Sequence, residues 1–167
     1  ETIAAVASPG TFDSSQAGQV VDATGKIIIP GGIDPHIHSL WHIPPLEEGG
    51  EVSWTDGPDV VSKAAIHGGT TTLLDFANWQ QSGTLEEVIN IRKQDWSGNC
   101  YADYGCHVML QGAIPPEILP QIGEVIQEGY PSIKIFTTDI TPSRRGRKIT
   151  HGHIWEIFKA LKKEGGI

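Results

Sequence analysis

The stretch GGTTTLLDFA, residues 68–77, joins a helical pattern to a strand pattern and decides the fold class. Residues 59–67 before it are typical of a helix, and Gly68 and Gly69 end that helix. Residues 70–77 are β-branched or apolar, apart from Asp75, as in a buried strand. A helix followed directly by a strand is one step of an alternating α/β fold.

The same alternation continues on both sides of this stretch. Strands are predicted where short apolar runs occur, at 27–38, 70–77, 104–110 and 132–137, and helices at 59–67, 85–95, 116–128 and 154–163. Strands separated by helices of about ten residues indicate βα units around a parallel sheet. We therefore predict an α/β fold with about four βα units over residues 30–167, roughly half of a closed TIM barrel. Ile167 is a candidate start of a further strand.

Residues 1–29 differ from the rest. Short strand-like runs at 4–8 and 20–29 flank a loop rich in Gly, Ser and Gln. This pattern predicts part of a small β domain before the barrel.

Composition excludes several classes of function. The 167 residues carry a net charge of −8 without a dominant basic run, which argues against nucleic acid and anionic membrane surfaces as partners. No apolar stretch approaches the ~18 residues of a membrane span. Two cysteines, Cys100 and Cys106, are too few for a disulfide framework, which favours a cytoplasmic location.

The first chemical signal is His36-Ile37-His38, which follows an apolar run and a Pro-Gly-Gly turn. Alternate side chains of a strand share a face, so we expect His36 and His38 to point into the barrel and Ile33 and Ile37 toward the helices. Two imidazoles at this spacing suit a divalent cation. Asp34 falls on the same face. The alternative is a pair of ordinary polar residues at a strand end.

The second signal is Lys134 within the strand 132–137. Ile133 and Ile135 are expected to face the helices, so Lys134 is expected to point inward with Ser132 and Phe136. A lysine whose amine has reacted with CO₂ is an anion able to bridge two metal ions. The alternative is an ammonium group paired with an internal carboxylate such as Asp75.

The order of the motifs resembles the amidohydrolase superfamily, and most closely the N-terminal portion of its dihydropyrimidinase and hydantoinase branch. The motifs are PGGIDPHIH at 30–38, GGTTT at 68–72 followed by Asp75-Phe76, Asp103-Tyr104, and IKIF at 133–136. The resemblance implies a composite β-sandwich domain, of which residues 1–29 would be part, joined to a TIM barrel. It also implies two divalent metal ions, most often zinc, held by His36, His38 and carboxylated Lys134, and a homotetramer or homodimer.

The activity implied by this resemblance is hydrolysis of a cyclic amide, a hydantoin or dihydropyrimidine ring, by a metal-bridging hydroxide. In this family the remaining metal ligands and a catalytic aspartate come from later barrel strands. No catalytic residue beyond the metal ligands is therefore expected within these 167 residues.

Two positions depart from the pattern of the family. Leu40 stands where dihydroorotase-like members carry an arginine, which argues against a dihydroorotase. Asp139 stands where hydantoinases carry a tyrosine that stabilises the oxyanion, and an ionised carboxylate cannot donate a hydrogen bond. Alternative hypotheses are an amidohydrolase of another ring or of a ureide such as allantoin, a non-catalytic barrel scaffold, or pairing with a second polypeptide that supplies the missing ligands.

Other polar and aromatic residues are secondary candidates. Asp75 and His107 either line the barrel interior and support the candidate metal ligands or are core residues with satisfied hydrogen bonds, and His151 and His153 are expected to be solvated. A substrate pocket or an oligomer contact suits Trp41, His42 and Trp54. A solvated loop or an anion site suits Arg144, Arg145, Arg147 and Lys148.

Overall fold

The computed structural model describes residues 2–45, 47, 49–139 and 145–167, and the chain divides into two units, Glu1–Pro30 and Gly31–Ile167. The described residues of the first unit form one short 3-10 helix, Ser14–Gln16, and no strand. The strands predicted at 4–8 and 20–29 are therefore not formed in these residues. A strand is stabilised by hydrogen-bonded neighbours, and here the apolar Ile27, Ile28 and Ile29 stay at least 76% exposed. The assignment of 1–29 to a β-sandwich stays a prediction.

The second unit is a mixed α/β structure built on a curled parallel sheet. Its elements in chain order are β1 (Gly32–Asp34), β2 (His42–Ile43), β3 (Ser53–Trp54), α1 (Pro58–His67), β4 (Thr70–Asn78), α2 (Leu85–Trp96), β5 (Asp103–Met109), α3 (Leu119–Gln127), β6 (Ile133–Lys134) and α4 (His151–Glu164). The sheet order is β1-β4-β5-β6, with every neighbouring pair parallel. Strands β2 and β3 form an antiparallel pair in the connection between β1 and α1. The predicted βα alternation is confirmed.

The helices start and stop where local chemistry dictates. Helix α2 begins with a capping box, in which the Thr84 side chain accepts from the Glu87 N–H and the Glu87 carboxylate accepts from the Thr84 N–H. Helix α4 begins three residues earlier than predicted because Thr150 caps its first turn, and it ends at Gly165 in the left-handed conformation. Pro120 lies in the first turn of α3, which starts later than predicted.

The outer strands are shorter than predicted. Pro35 has no N–H to donate, and β1 ends at Asp34, although the Ile37 N–H still donates to the Leu74 carbonyl at 3.1 Å. Strand β6 is limited to Ile133–Lys134. At its start the Ile133 N–H donates to the Ile167 carbonyl at 2.9 Å, so Ile167 already pairs alongside β6.

The main core lies between the sheet and the helices. Its buried members come from β4 and β5, from the residues directly after these strands, and from the facing sides of α2, α3 and α4; they include Ala77, Trp79, Leu85, Ile89, Val108, Leu110, Ile122 and Ile157. The opposite side of the sheet, which we call the inner face, carries the polar candidates. None of the helices in the described ranges combines the length and apolarity that a membrane crossing requires.

Candidate metal centre

Phe76 of β4 lies at the middle of the candidate centre on the inner face. Its ring centroid is 4.7 Å from that of His36, 4.8 Å from that of His38 and 5.2 Å from that of His107. The Lys134 Nζ lies 4.3 Å from the same centroid. Residues from three other segments therefore meet around this one aromatic side chain, and His36, His38 and Lys134 point to the inner face as predicted.

His36 and Lys134 are in direct contact although they are 98 positions apart in the chain. The Lys134 Nζ and the His36 Nε2 are 3.1 Å apart. Burial lowers the pKa of His36, and the nearby Lys134 and His107 lower it further, against an opposing effect of Asp34. The neutral imidazole that results has a lone pair, which is the form of histidine that accepts a proton or ligates a cation.

The His38 ring packs against the His36 ring at a centroid distance of 5.2 Å, and the chain after His38 is tied down by its neighbours. The Ser39 hydroxyl and the Leu40 N–H both donate to the Asp56 carbonyl, at 3.0 and 3.1 Å. The Arg92 guanidinium of α2 donates to the Ser39 carbonyl at 2.8 Å. These three bonds fix the position at which the histidine-bearing segment leaves the sheet.

Asp75 faces the helices and is a satisfied core residue, which is one of the two alternatives given for it; it neither lines the inner face nor pairs with Lys134. Its buried carboxylate accepts from the Arg92 guanidinium and the Trp96 Nε1, each at 3.1 Å. The reason is the alternation along β4, because Phe76 occupies the inner face and its neighbour must point outward. Burial raises the pKa of Asp75, and Arg92 offsets part of that effect. Sequence reasoning missed Arg92, whose signal is a charge on the apolar stripe of α2.

His107 of β5 does lie on the inner face and links the strands there. Its Nδ1 shares a hydrogen bond with the Ser132 hydroxyl, and its Nε2 shares one with the Pro35 carbonyl at 2.9 Å. In a neutral imidazole, an Nε2 that donates to the Pro35 carbonyl leaves Nδ1 as the acceptor from the Ser132 hydroxyl. Asp34 accepts the His36 N–H at 3.0 Å. His107 and Asp34 therefore both hold the segment that carries His36.

The donor set in the described part of the chain is incomplete for a metal ion by itself. No group of three or more His, Cys, Asp or Glu side chains in the described ranges is placed to hold one. Two imidazoles and one lysine amine converge instead, and a protonated amine is not a metal ligand. The set fits a metal site on condition that Lys134 carries an anionic group such as a carbamate and that further ligands join from outside these residues.

An open cleft of about 1170 Å³ leads to this cluster. Trp41, His42 and Trp54, predicted as pocket or interface residues, line it, and the His42 and Trp54 rings contact each other across β2 and β3 at 5.6 Å. The other described lining residues include His36, His38, Leu40, Asn78, Gln80, Arg92, Met109, Lys134, Phe136 and Arg147. The cleft is the place where a small molecule would meet the cluster.

Asp139, at the position of the expected tyrosine, has a role in the backbone of the next loop. Its carboxylate accepts the N–H groups of Gly146, Arg147 and Lys148 at 3.3, 3.2 and 2.9 Å. These bonds, the one from Lys148 first, lower the pKa of Asp139. An acceptor occupied in this way cannot act as the hydrogen-bond donor that an oxyanion needs.

The remaining candidates lie elsewhere. His151 and His153 are in the first turn of α4, where His151 is exposed and the Ile114 N–H lies 3.4 Å from the His153 Nδ1. Neither is among the described residues that line the cleft. In the basic stretch, Arg145 and Lys148 are exposed, Arg147 lines the cleft, and Arg144 lies outside the described residues.

No protein-family model matches this chain. It is 35% identical over 136 residues to the D-hydantoinase of Streptomyces coelicolor, a match that covers 80% of this chain and 28% of that protein. It is 34% identical over 156 residues to the dihydropyrimidinase of Dictyostelium discoideum, covering 89% of this chain and 28% of the relative.

A solved structure is similar as well. The crystal structure of dihydropyrimidinase from Brevibacillus agri matches 90% of this chain with a TM-score of 0.74 and 30% identity, and this covers 31% of that protein. The chain therefore spans less than a third of the length of the relatives it matches, since the covered shares are 28% for both curated proteins. A partial match of this kind fits the predicted N-terminal portion.

Proposed function

Because this chain belongs to the hydantoinase and dihydropyrimidinase branch of the amidohydrolase superfamily, we propose that its protein hydrolyses the C–N bond of a cyclic amide. The chain's contribution is one side of a metal centre and one wall of the substrate cleft. The observation that supports this most directly is the 3.1 Å contact between the His36 Nε2 and the Lys134 Nζ, beside His38 and at the end of the cleft.

His36, His38 and a carboxylated Lys134 are the residues that would hold two divalent ions, with zinc the first candidate. When bound, such ions supply a hydroxide nucleophile near neutral pH and polarise the amide carbonyl. The remaining ligands and the acid that protonates the leaving nitrogen come from outside the residues described above.

The chain's own residues prepare Lys134 for carboxylation. A neutral amine attacks the carbon of CO₂, forms a C–N bond and releases one proton, which leaves an anionic carbamate. The half-buried Lys134 amine lies over Phe76 and 3.1 Å from the His36 Nε2, and the lone pair of a neutral imidazole there accepts the released proton.

We infer the architecture of the whole protein from the fold of its relatives. The four βα units are the first half of a TIM barrel, preceded by part of a β-sandwich at 1–29, and the protein is a cytoplasmic homotetramer or homodimer. Support for the barrel comes from the curled parallel sheet and the structural match to a dihydropyrimidinase.

The test is replacement of the lysine. Lys134→Ala in protein purified with bicarbonate and without chelator is expected to lose metal, measured by elemental analysis, and to lose hydantoin hydrolysis. Lys159→Ala is the matched control, because Lys159 is an exposed lysine of α4 that pairs only with Glu156 among the described residues. Retention of both metal and activity by Lys134→Ala would refute the proposal, and a wild-type protein without metal would favour a scaffold.

A second candidate, hydrolysis of another ring or of a ureide such as allantoin, is favoured by one observation. Asp139 is occupied by three backbone N–H groups and offers no donor to an oxyanion. Comparison of initial rates with hydantoin, dihydrouracil and allantoin separates the candidates. A rate with allantoin well above the other two would replace the first proposal by the second.

A further inference from the structure

The charge of the cleft opposes the charge of the chain. The chain carries a net charge of −8, yet the described residues that line the cleft include no Asp or Glu. They do include three residues with cationic side chains, Arg92, Lys134 and Arg147. A cleft with one sign of charge attracts ligands of the opposite sign.

Two of these three cations already have partners. The Arg92 guanidinium is 3.1 Å from the Asp75 carboxylate and 3.4 Å from that of Asp95. The Lys134 amine contacts His36. Arg147 differs, because in the described ranges no carboxylate lies within salt-bridge distance of its guanidinium and no hydrogen bond involves it.

The backbone around Arg147 is held on several sides. The Arg147 N–H donates to the Asp139 carboxylate at 3.2 Å, and the Arg147 carbonyl accepts from the Gly112 N–H at 2.8 Å. The Gln81 side-chain amide lies 3.4 Å from the carbonyl of the preceding Gly146. The residue is also less exposed than Arg145 and Lys148 beside it. A held backbone lowers the entropy lost when the side chain binds a ligand.

We propose that Arg147 binds an anionic substituent, a carboxylate, on the substrate and so makes the enzyme selective for cyclic amides that carry one. This inference rests on the proposed function. Guanidinium binds carboxylate through two parallel hydrogen bonds, which suits a fixed cation at a cleft wall. Trp41 and Trp54, which line the same cleft, offer apolar faces to the uncharged ring of such a substrate.

The experiment compares two probes of equal size, hydantoin-5-acetic acid and hydantoin-5-acetamide. The wild-type protein is expected to hydrolyse the acid with the higher kcat/KM. Arg147→Gln is expected to lower kcat/KM for the acid by about 10- to 100-fold, mainly through KM, and to leave the amide nearly unchanged. Arg147→Lys is expected to recover part of the loss. Arg145→Gln, an exposed neighbour outside the described cleft lining, is the control and should change neither value.

Equal kcat/KM for both probes in the wild type, or equal losses for both in Arg147→Gln, would overturn the inference. Failure of the wild type to hydrolyse either probe would count against the proposed function instead. Equilibrium binding of the same two probes, followed by tryptophan fluorescence, then decides the inference by itself. Tighter binding of the acid that is lost in Arg147→Gln supports it, and equal binding of acid and amide overturns it.

Discussion

Breaking the buried Asp75–Arg92 pair with Asp75→Asn is expected to lower the free energy of unfolding by about 2 kcal/mol. Breaking a buried ion pair usually costs about 3–5 kcal/mol, because the other charge is left buried and unpaired. Here the Asp75 side chain is 0% exposed and that of Arg92 13%, and Asp95 lies 3.4 Å from the same guanidinium. Because Asp95 also lies near Arg92 and Arg92 is partly exposed, we expect the cost of Asp75→Asn at or below the lower end of this range. Burial also raises the pKa of Asp75 beyond what Arg92 offsets, so the ionised pair costs solvation to form.

Urea unfolding followed by tryptophan fluorescence measures this effect. A loss of about 2 kcal/mol moves the midpoint by about 1 M for a typical urea dependence. Asp95→Asn is the matched control, because the Asp95 side chain is 29% exposed and a surface pair contributes about 0–1 kcal/mol. The double variant Asp75→Asn/Arg92→Gln should lose less than the sum of the single variants, with a coupling of at least about 1 kcal/mol.

Two results would refute this reasoning. One is a cost for Asp75→Asn no greater than that of Asp95→Asn. The other is additivity of Asp75→Asn and Arg92→Gln within about 0.5 kcal/mol, which would mean that the two side chains act independently.

Arg92→Gln should also weaken metal binding, because Arg92 holds the Ser39 carbonyl next to His38 at 2.8 Å. Unchanged metal affinity in that variant would contradict the positioning role.

Two further outcomes are expected. Gly112→Ala should destabilise the protein by more than about 2 kcal/mol in the same denaturation assay, because Gly112 has φ +72° and a Cβ there would lie 2.6 Å from the Gly146 carbonyl. Gly98 is the control, since it has φ +75° with open space around it, and Gly98→Ala should cost only about 1 kcal/mol. Burial raises the pKa of Cys106 to about 11, so its thiol should resist iodoacetamide at about pH 8 in folded protein while the more accessible Cys100 reacts. Mass spectrometry that finds Cys106 alkylated first would contradict this prediction.

The positions of the candidate ligands follow from local features that a sequence contains. Ile133 and Ile135 flank Lys134, and both pack against the helix-side core, so alternation alone predicts an inward lysine. The same rule placed His36 and His38 together, although Ile33 on the other face is 66% exposed and does not pack on a helix as expected. Helix limits likewise follow from caps and glycines near in sequence.

The direction of Asp75 was beyond such reasoning. Strand β4 is buried on both faces, with Leu73 at 1% exposure and Phe76 at 2%, so its apolar residues do not alternate with polar ones. In that case the period of the strand does not identify the helix side, and a polar residue can face either way. The direction of Asp75 is set by the register of β4 between β1 and β5, and this register depends on pairings across the whole sheet.

The sequence by itself thus predicted the alternation of strands and helices in the βα units, without the β2–β3 pair, and the inward set of His36, His38 and Lys134, because these depend on periodicity over a few residues. Only the tertiary structure decided that Asp75 pairs with Arg92, that Asp139 holds a loop, and that Arg147 alone of its described basic neighbours lines the cleft. These outcomes depend on contacts between residues that are distant in the chain, and local propensity carries no information about which distant groups will meet.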